Sequence, residues 1–363
     1  MVAKISGSGG VQPDGTVKLR DVAKAAGVSQ GTASNVFSKP DLVREEVREH
    51  VLKVAQEMGY AGPSITGRLL RQGRVNAVGV AAIEPLSYFF EDPWARDLLR
   101  HISNICDAQG AGVALVSALS DERVDWNIQS AVVDGFILLC VEGGDRLVEV
   151  TRARQLPYVA LAIGGDDDSI PAIGVDNVSG ARAAAEHLIG LGHRNLAVLA
   201  TTFGLEGMGP VDEAHVRAAM YSTSRDRALG YWEALEAAGI PIGSVPIYET
   251  RETRASTQAM MELMMGAETT PTAILAMSDK VAMWAVEWLF RHGMNVPGDV
   301  SIVGFDGVPE AEVATPPLTT MEQPMAEIAQ MAVDAALGGK QMTGKRYLET
   351  RLVVRETTAP PRA

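Results

Sequence analysis

The sequence predicts an all-α headpiece followed by an α/β body of two lobes, each built on a doubly wound parallel sheet. Two observations support this fold class. Residues 17–43 contain two short amphipathic helices joined by a turn at Gly27. From Val75 onward, short apolar strands alternate with amphipathic helices in two successive sets of similar size. This alternation is typical of parallel sheets that helices cover on both faces.

The headpiece helices follow from the spacing of apolar residues. In the first helix these residues lie three and four positions apart and share one face, and Gly27 ends the helix. Ser29 supplies an N-cap hydroxyl for the second helix, whose outward face of small and amide side chains suits a DNA major groove. A third helix with Val47, Val51 and Met58 completes the bundle. Periodicity alone leaves open an ordinary helical hairpin at the edge of an enzyme.

The identities of the headpiece residues favour a DNA-binding domain over a helical hairpin of an enzyme. The run DVAKAAGVS, followed by Thr32, Ser34, Val36 and the pair Gly59-Tyr60, resembles the headpiece of the LacI/GalR (lactose repressor) family of bacterial transcription regulators. The resemblance implies a helix-turn-helix DNA-binding domain over residues 17–61. Four positions depart from the family pattern, so the operator sequence cannot be carried over: Ala33, Asn35, Phe37 and Ser38.

The segment 62–74, GPSITGRLLRQGR, links headpiece and body. Pro63 can start a helix that Gly67 weakens, so we expect a helix that does not persist alone. By resemblance, the segment is a hinge that becomes helical on operator DNA, where Leu70, beside Arg68, wedges into the minor groove. A flexible linker is the alternative.

Composition favours a cytoplasmic DNA-binding protein with no membrane contact. Between Lys18 and Arg74 the sequence has ten Lys and Arg and six Asp and Glu, a local charge of +4. The net charge of the whole chain is −13, so the remaining residues carry −17. A basic headpiece attracts phosphate, and an acidic body is repelled by it. Residues 1–16 lack the apolar core of a signal peptide, and we expect them to form a disordered polar arm. Cys106 and Cys140 suit a reducing compartment.

The body resembles the periplasmic-binding-protein-like core of the same family, through segments such as IGVDN, VPGDVSIVGFD and PPLTTMEQP. The resemblance implies two lobes within residues 75–363 that the chain crosses three times, near Asp176, Asp306 and Leu337. The expected lobe boundaries are 75–176 with 307–337 for the first lobe, and 177–306 with 338–363 for the second.

Two common enzyme signatures are incomplete. Gly339-Lys340 and Gly344-Lys345 lack the rest of a phosphate-binding loop, and the first strand of the body lacks the glycine fingerprint of a dinucleotide-binding enzyme. The six histidines are scattered and show no metal-binding pattern. We therefore predict a protein that is not an enzyme and needs neither a cofactor nor a metal.

Polar and aromatic side chains follow the ends of several predicted strands. In open α/β sheets ligands bind beyond the carboxyl ends of the strands, so we expect an effector cleft between the lobes. The candidate effector residues are Tyr88, Phe89, Phe90, Asp176, Arg227, Ser278, Asp279 and Asp306. The aromatic side chains could stack on a sugar or a base, and plain core packing is the alternative.

The family resemblance gives two of these residues a role. Arg227, in RALGY, matches the arginine that forks onto polyhydroxylated or anionic effectors, and Asp306, in GFD, matches the position that accepts effector hydroxyls from the far lobe. An interlobe salt bridge without ligand contact is the alternative. Residues 202–224 are longer than the usual link into the arginine helix. We expect a lid over the cleft there, with an idle surface insertion as the alternative.

Together these features predict a homodimeric transcriptional repressor whose two headpieces bind the half-sites of a near-palindromic operator. We expect Gln30 and Asn35 to contact base edges. The full set of expected DNA contacts is Lys18, Ser29, Gln30, Gly31, Thr32, Ser34, Asn35, Lys39, Arg44, Arg68 and Leu70. The expected effector is a sugar or sugar derivative, ahead of a nucleobase. The alternative is a solute-binding protein of a transport system, which the headpiece argues against.

Overall fold

The computed structural model divides the chain into two compact units, residues 1–75 with the headpiece and residues 76–363 with the body. The predicted arm over residues 1–16 lies outside the described residues, as do Arg68 and Leu70 of the predicted hinge. The described residues are 17–60, 62, 74–162 and 169–362. Within these ranges, no helix combines the length and the apolar character that a membrane span requires.

The headpiece is the predicted bundle of three helices. These are α1 (Leu19–Ala25), α2 (Gln30–Ser38) and α3 (Glu45–Glu57). Gly27 has a φ of +65° in the turn between α1 and α2, a conformation that favours glycine. The Ser29 hydroxyl caps α2 by accepting a hydrogen bond from the Thr32 N–H at 3.0 Å. Val22 and Val51 are fully buried between the helices, as the spacing of the apolar residues predicts.

The body contains thirteen strands and eleven helices in the described ranges. The strands are β1 (Ala77–Ala82), β2 (Gly112–Ser117), β3 (Gly135–Leu139), β4 (Tyr158–Leu161), β5 (Ala172–Val175), β6 (Leu196–Ala200), β7 (Gly209–Val211), β8 (Ile247–Glu249), β9 (Ala273–Ala276), β10 (Ser301–Asp306), β11 (Thr319–Glu322), β12 (Lys345–Leu348) and β13 (Arg351–Val353). The helices are α4 (Tyr88–Glu91), α5 (Pro93–Gln109), α6 (Asp121–Ser130), α7 (Asp145–Ala153), α8 (Asn177–Gly190), α9 (Glu213–Arg217), α10 (Ser222–Ala237), α11 (Arg254–Met265), α12 (Asp279–Arg291), α13 (Pro309–Val313) and α14 (Met325–Leu337).

Two sheets define the two lobes. The first sheet has the order β12-β5-β4-β3-β1-β2, and all its strands are parallel. The second has the order β13-β11-β10-β9-β6-β8-β7, and only its edge strands β13 and β7 pair antiparallel. Strands such as β3 and β6 are buried along their whole length, because helices cover both faces of each sheet.

The chain crosses between the lobes three times, and two crossings differ from the prediction. β11 pairs in parallel with β10, so the second crossing lies near Gln323 and the one predicted near Asp306 is wrong. The sequence TTME does not read as a core strand, yet Thr319 and Thr320 are fully buried with hydrogen-bonded side chains. β12 pairs with β5 and β13 with β11, which moves the third crossing from Leu337 to the link between these strands.

Helices α8 and α10 pack together closely because Gly230 of α10 has no side chain. A Cβ atom at Gly230 would lie 2.2 Å from the carbonyl oxygen of Val178 and 2.9 Å from the Cβ of Ala181, both in α8. Backbone atoms of a packed helix cannot move away cheaply. This contact fixes the position of α10, and therefore of Arg227 within it.

We predict that Gly230→Ala destabilises the body by about 1–3 kcal/mol through overpacking. Gly190→Ala is a matched control, because Gly190 also lies in a helix and a Cβ there meets no atom within 4 Å. The control should be neutral or stabilising by up to about 1 kcal/mol. Urea unfolding of both variants measures the difference, and equal stabilities would show that the contact between α8 and α10 is not tight.

Candidate functional site

The exposed face of the headpiece carries the predicted DNA contacts that the structure describes. The exposed ones are Lys18, Ser29, Gln30, Gly31, Lys39 and Arg44, and the half-buried ones are Thr32, Ser34 and Asn35. Ser29 and Thr32 also have a structural role, since their hydroxyl oxygens lie 2.8 Å apart at the start of α2. Gln30 and Gly31 occupy the exposed first turn of that helix, where amide and backbone groups can approach a ligand.

A cavity of about 230 Å³ lies between the two lobes of the body, at the carboxyl ends of the parallel strands. Its lining comes from residues that follow strands of both sheets, as expected for open α/β sheets. Four of the eight predicted effector residues line this cavity: Tyr88, Arg227, Ser278 and Asp306. We call it the interlobe cavity.

The other four predicted effector residues lie elsewhere, and their placement in the cleft was wrong. Phe89 is buried in the hydrophobic core, while Phe90 is 61% exposed at the surface. The short helix α4 turns successive side chains in different directions, so Tyr88 alone of the three aromatic residues faces the cavity. Asp176 caps α8 by accepting a hydrogen bond from the Ser179 N–H. The fully buried Asp279 accepts hydrogen bonds from backbone N–H groups that follow β10.

Arg227 forms the floor of the interlobe cavity and is almost fully buried. Its Nε donates to Asn177 Oδ1 at 2.9 Å, and its two terminal nitrogens contact the Met277 carbonyl and Asp306 Oδ1, the latter at 3.4 Å. Its guanidinium also lies 3.8 Å from the centre of the Phe305 ring, in cation–π geometry. Four contacts of different kinds therefore fix one orientation of this side chain.

Asp306 belongs to the same lobe as Arg227, which corrects the prediction that it reaches the effector from the far lobe. Gln323 donates to Asp306 Oδ1 at 2.8 Å, and Trp94 of the first lobe donates to Gln323 Oε1 at 3.2 Å. A chain of hydrogen bonds thus runs from Arg227 to the first lobe. Arg227 and Asp306 do form a salt bridge, but it lies within one lobe and does not join the two lobes.

Lys280 occupies a second, acidic corner of the cavity. Its Nζ lies 2.7 Å from Asp92 Oδ2 and 3.7 Å from Glu252 Oε2. Asp92 comes from the first lobe, where its other oxygen caps α5, so the ion pair joins the lobes. Burial opposes charge on Lys280, but Glu252 and Asp92 outweigh it and raise the pKa of the ammonium group.

Several carboxyl groups of the cavity hold protons more tightly than in water. Burial raises the pKa of Glu84, and the nearby carboxylate of Glu252 raises it further. Burial raises the pKa of Glu142 despite hydrogen bonds from Ser222. Burial also raises the pKa of Asp306 well above its usual value, although Arg227 acts in the opposite direction. The cavity therefore holds acidic groups in a poorly solvated place.

The segment 202–224 is an ordered part of the second lobe. β7 extends the sheet beside β8, and His215 Nε2 of α9 lies 3.0 Å from a carboxylate oxygen of the buried Glu249. The two ends of the segment line the interlobe cavity, through Thr202 at one end and Tyr221 and Ser224 at the other. That the segment acts as a lid stays a prediction.

Comparison with known proteins identifies the family. A model described as bacterial regulatory proteins, lacI family, matches residues 18–62, and a periplasmic binding protein-like domain matches residues 185–358. The HTH-type transcriptional regulator Rv3575c of Mycobacterium tuberculosis is 35% identical over 352 residues, which are 94% of this chain and 97% of that protein. The chain belongs to the LacI family. The HTH-type transcriptional regulator IpsA of Corynebacterium glutamicum is 33% identical, over 94% of this chain and 96% of that protein.

Solved structures agree with this assignment to the LacI family. The lac repressor dimer bound to operator and the anti-inducer ONPF has a TM-score of 0.73 at 26% identity, over 94% of this chain and 99% of that chain. A complex of the transcriptional regulator CelR with cellobiose has a TM-score of 0.67 at 28% identity, over 94% and 100%. The predicted fold class is confirmed. Because the LacI family consists of transcriptional regulators, the prediction that the chain is not an enzyme is confirmed as well.

Most charged residues in the cavity of this LacI-family regulator were not predicted from the sequence. The missed polar residues of the lining include Glu84, Asp92, Glu142, Asn177, Glu252, Lys280 and Gln323. Several follow the carboxyl end of a parallel strand within a few residues, which is the signal that could have found them. In the described part of this regulator, no group of three His, Cys, Asp or Glu side chains could hold a metal ion.

We predict that Asp306→Asn stabilises the unliganded regulator near pH 8. The folded state raises the pKa of Asp306, so folding takes up a proton and the contribution of Asp306 to stability falls as the pH rises. An amide keeps the shape of the side chain without the charge, and Arg227 retains Asn177 and the Met277 carbonyl. We expect the gain to be present near pH 8 and to shrink toward about pH 5, as the pH approaches the ordinary carboxyl pKa.

Thermal unfolding of both proteins across this pH range measures the difference. Asp107→Asn, at an exposed position on α5, serves as the control and should change the melting temperature little at any pH. A variant that is less stable than the parent protein throughout the range would show that the Asp306 carboxylate stabilises the fold.

Proposed function

We propose that this LacI-family regulator is a homodimeric repressor that binds a near-palindromic operator and responds to a sugar-like effector in the interlobe cavity. The buried pair of Arg227 and Asp306 at the floor of that cavity carries the proposal. The solute-binding alternative is not favoured, because the relatives are HTH-type transcriptional regulators. A protein that binds chromosomal DNA works in the cytoplasm, and we place this one there.

The headpiece supplies the DNA-binding half of the proposal. Gln30 and Asn35 are amides on α2, and an amide can pair with adenine in the major groove. Lys18, Lys39 and Arg44 are exposed and suited to phosphate contacts. The lac repressor structure with operator DNA contains a dimer, which supports two headpieces on two half-sites. The predicted contacts of Arg68 and Leu70 with the minor groove belong to the same proposal.

The cavity supplies the effector-binding half. Arg227, Asn177 and Asp306 offer both donors and acceptors, which the vicinal hydroxyl groups of a sugar can use together. Tyr88 and Trp94 add aromatic surface to the same lining, as sugar sites often need. The CelR complex with cellobiose, which is similar over most of this chain, supports a carbohydrate over a nucleobase.

The coupling between the two halves runs through the contacts between lobes. Glu142 of the first lobe accepts hydrogen bonds from the backbone N–H and the hydroxyl of Ser222, the first residue of the helix that carries Arg227. An effector that binds between the lobes changes which lobe arrangement is most stable, and we propose that this disfavours operator binding. The coupling is reciprocal, so operator DNA must weaken effector binding by the same factor.

For the DNA contacts, we predict that Gln30→Ala and Asn35→Ala each weaken specific operator binding by about 1–3 kcal/mol, because each removes hydrogen bonds to a base edge. Gln56→Ala is the control, since Gln56 is an exposed amide on α3, away from the proposed recognition helix. Gel shifts with the DNA upstream of the protein's own gene, with and without excess unrelated DNA, provide the measurement. Normal specific binding by both variants would refute the proposed readout.

For the effector, we predict that Arg227→Lys abolishes the response to a sugar that otherwise releases the operator, because lysine cannot form the bidentate contact. The variant keeps a positive charge near Asp306 and should still bind operator DNA. Gel shifts with increasing concentrations of cellobiose and its component glucose measure the response. If no sugar changes operator affinity in the parent protein, the proposed effector class is wrong.

A further inference from the structure

We propose that the effector of the interlobe cavity is a cationic polyol: a polyhydroxylated molecule with a protonated amine seated between Glu84 and Glu252. The same cavity disfavours phosphorylated and carboxylated sugars. This inference rests on the proposed function, which gives the cavity its effector, and it goes further by assigning the charge of that molecule.

The charges that line the cavity are unbalanced. The acidic residues of the lining are Glu84, Asp92, Glu142, Glu252 and Asp306, and the basic ones are Arg227 and Lys280. Five carboxylates against two cations give a formal balance of −3. A negatively charged cavity in protein, where screening by water is reduced, attracts cations and repels anions.

Both cations are already engaged by the protein. Arg227 contacts Asn177, the Met277 carbonyl and Asp306, and Lys280 lies against Asp92 at 2.7 Å. A phosphate or carboxylate would have to compete with Asp306 or Asp92 for these cations, and it would still face the remaining carboxylates. The paired state of the cations therefore selects against an anionic effector.

Glu84 and Glu252 are the least compensated of the acids. Among the described residues, the side chain of Glu84 makes no hydrogen bond or ion pair. The carboxylate of Glu252 makes one long ion pair, with Lys280 Nζ at 3.7 Å. Both side chains line the same cavity. Burial raises the pKa of Glu84, and repulsion from the charge of Glu252 raises it further, while Lys280 acts in the opposite direction. An ammonium group between them would relieve this repulsion and could donate to both.

The positions of these two residues connect the charge of the ligand to the proposed switch. Glu84 follows β1 of the first sheet, while Glu252 follows β8 of the second. A cation seated between them would attract both lobes at once, which a neutral hydroxyl does more weakly. The amine would thus contribute to closure as well as to affinity.

Matched sugars test the proposal on the full chain, in buffer with EDTA. The glucose series comprises D-glucose, D-glucosamine, N-acetyl-D-glucosamine and D-glucose 6-phosphate, and the galactose series is built in the same way. Calorimetry and thermal shift should show that the amine of at least one series binds about tenfold or more tightly than its neutral partners. The phosphate should not bind. Equal or tighter binding of a neutral or phosphorylated sugar, or no binding of any amine, overturns the proposal.

Variants locate the amine within the cavity. Glu84→Gln and Glu252→Gln should each weaken binding of the amine about tenfold and leave the neutral partner unchanged. Glu91→Gln is the matched control, since Glu91 is exposed on α4 and does not line the cavity. Unchanged amine affinity in both cavity variants would overturn the proposed position of the amine between Glu84 and Glu252.

The two proposals fail in different ways. If a neutral sugar binds best and alters the gel shift of operator DNA, the charge assignment fails and the proposed function stands. If the amine binds in the cavity but no ligand changes operator affinity, the charge assignment stands and the proposed switch fails.

Discussion

The body depends on satisfying one buried charge. A guanidinium group away from water is stable only with several well-placed partners, and Arg227 finds them on α8, after β9 and on β10. Loss of Asn177 or of the Met277 carbonyl would leave the buried guanidinium with too few acceptors, so these elements must hold one arrangement. Gly230 also helps to hold Arg227 in place, because it lets α10 lie against the backbone of α8. The second lobe therefore presents a rigid floor to whatever enters the cavity.

The contacts between the lobes are of another kind. They include polar pairs, such as Lys280 with Asp92, Arg96 with Glu310 and Ser222 with Glu142. Polar pairs that water can replace contribute little net stability compared with a packed apolar core. Because the floor is rigid and the interlobe contacts can exchange, ligand binding can shift the equilibrium between lobe arrangements without disturbing either sheet.

The elements that depend on apolar patterning could be predicted from the sequence. Features that depend on the direction of a side chain, or on pairing between residues distant in the chain, could not. Strands such as β3 are apolar along their length, so both sheets and most helices were predictable. The polar strand β11 was not, because its threonines are buried through hydrogen bonds that no periodicity reveals. Phe89 was misplaced because one turn of helix decides which aromatic side chain faces the cavity. Lys280 was missed because its role depends on Asp92, which is distant in the chain.

The order of the last two strands has a consequence for how the protein is made. β12 completes the first sheet and β13 the second, and both lie within the final twenty residues. Neither lobe can therefore close its sheet until these strands have been synthesised, although the headpiece, built from contiguous residues, is complete long before. During synthesis, a finished headpiece precedes an unfinished body, and premature termination anywhere upstream of β12 leaves neither lobe whole.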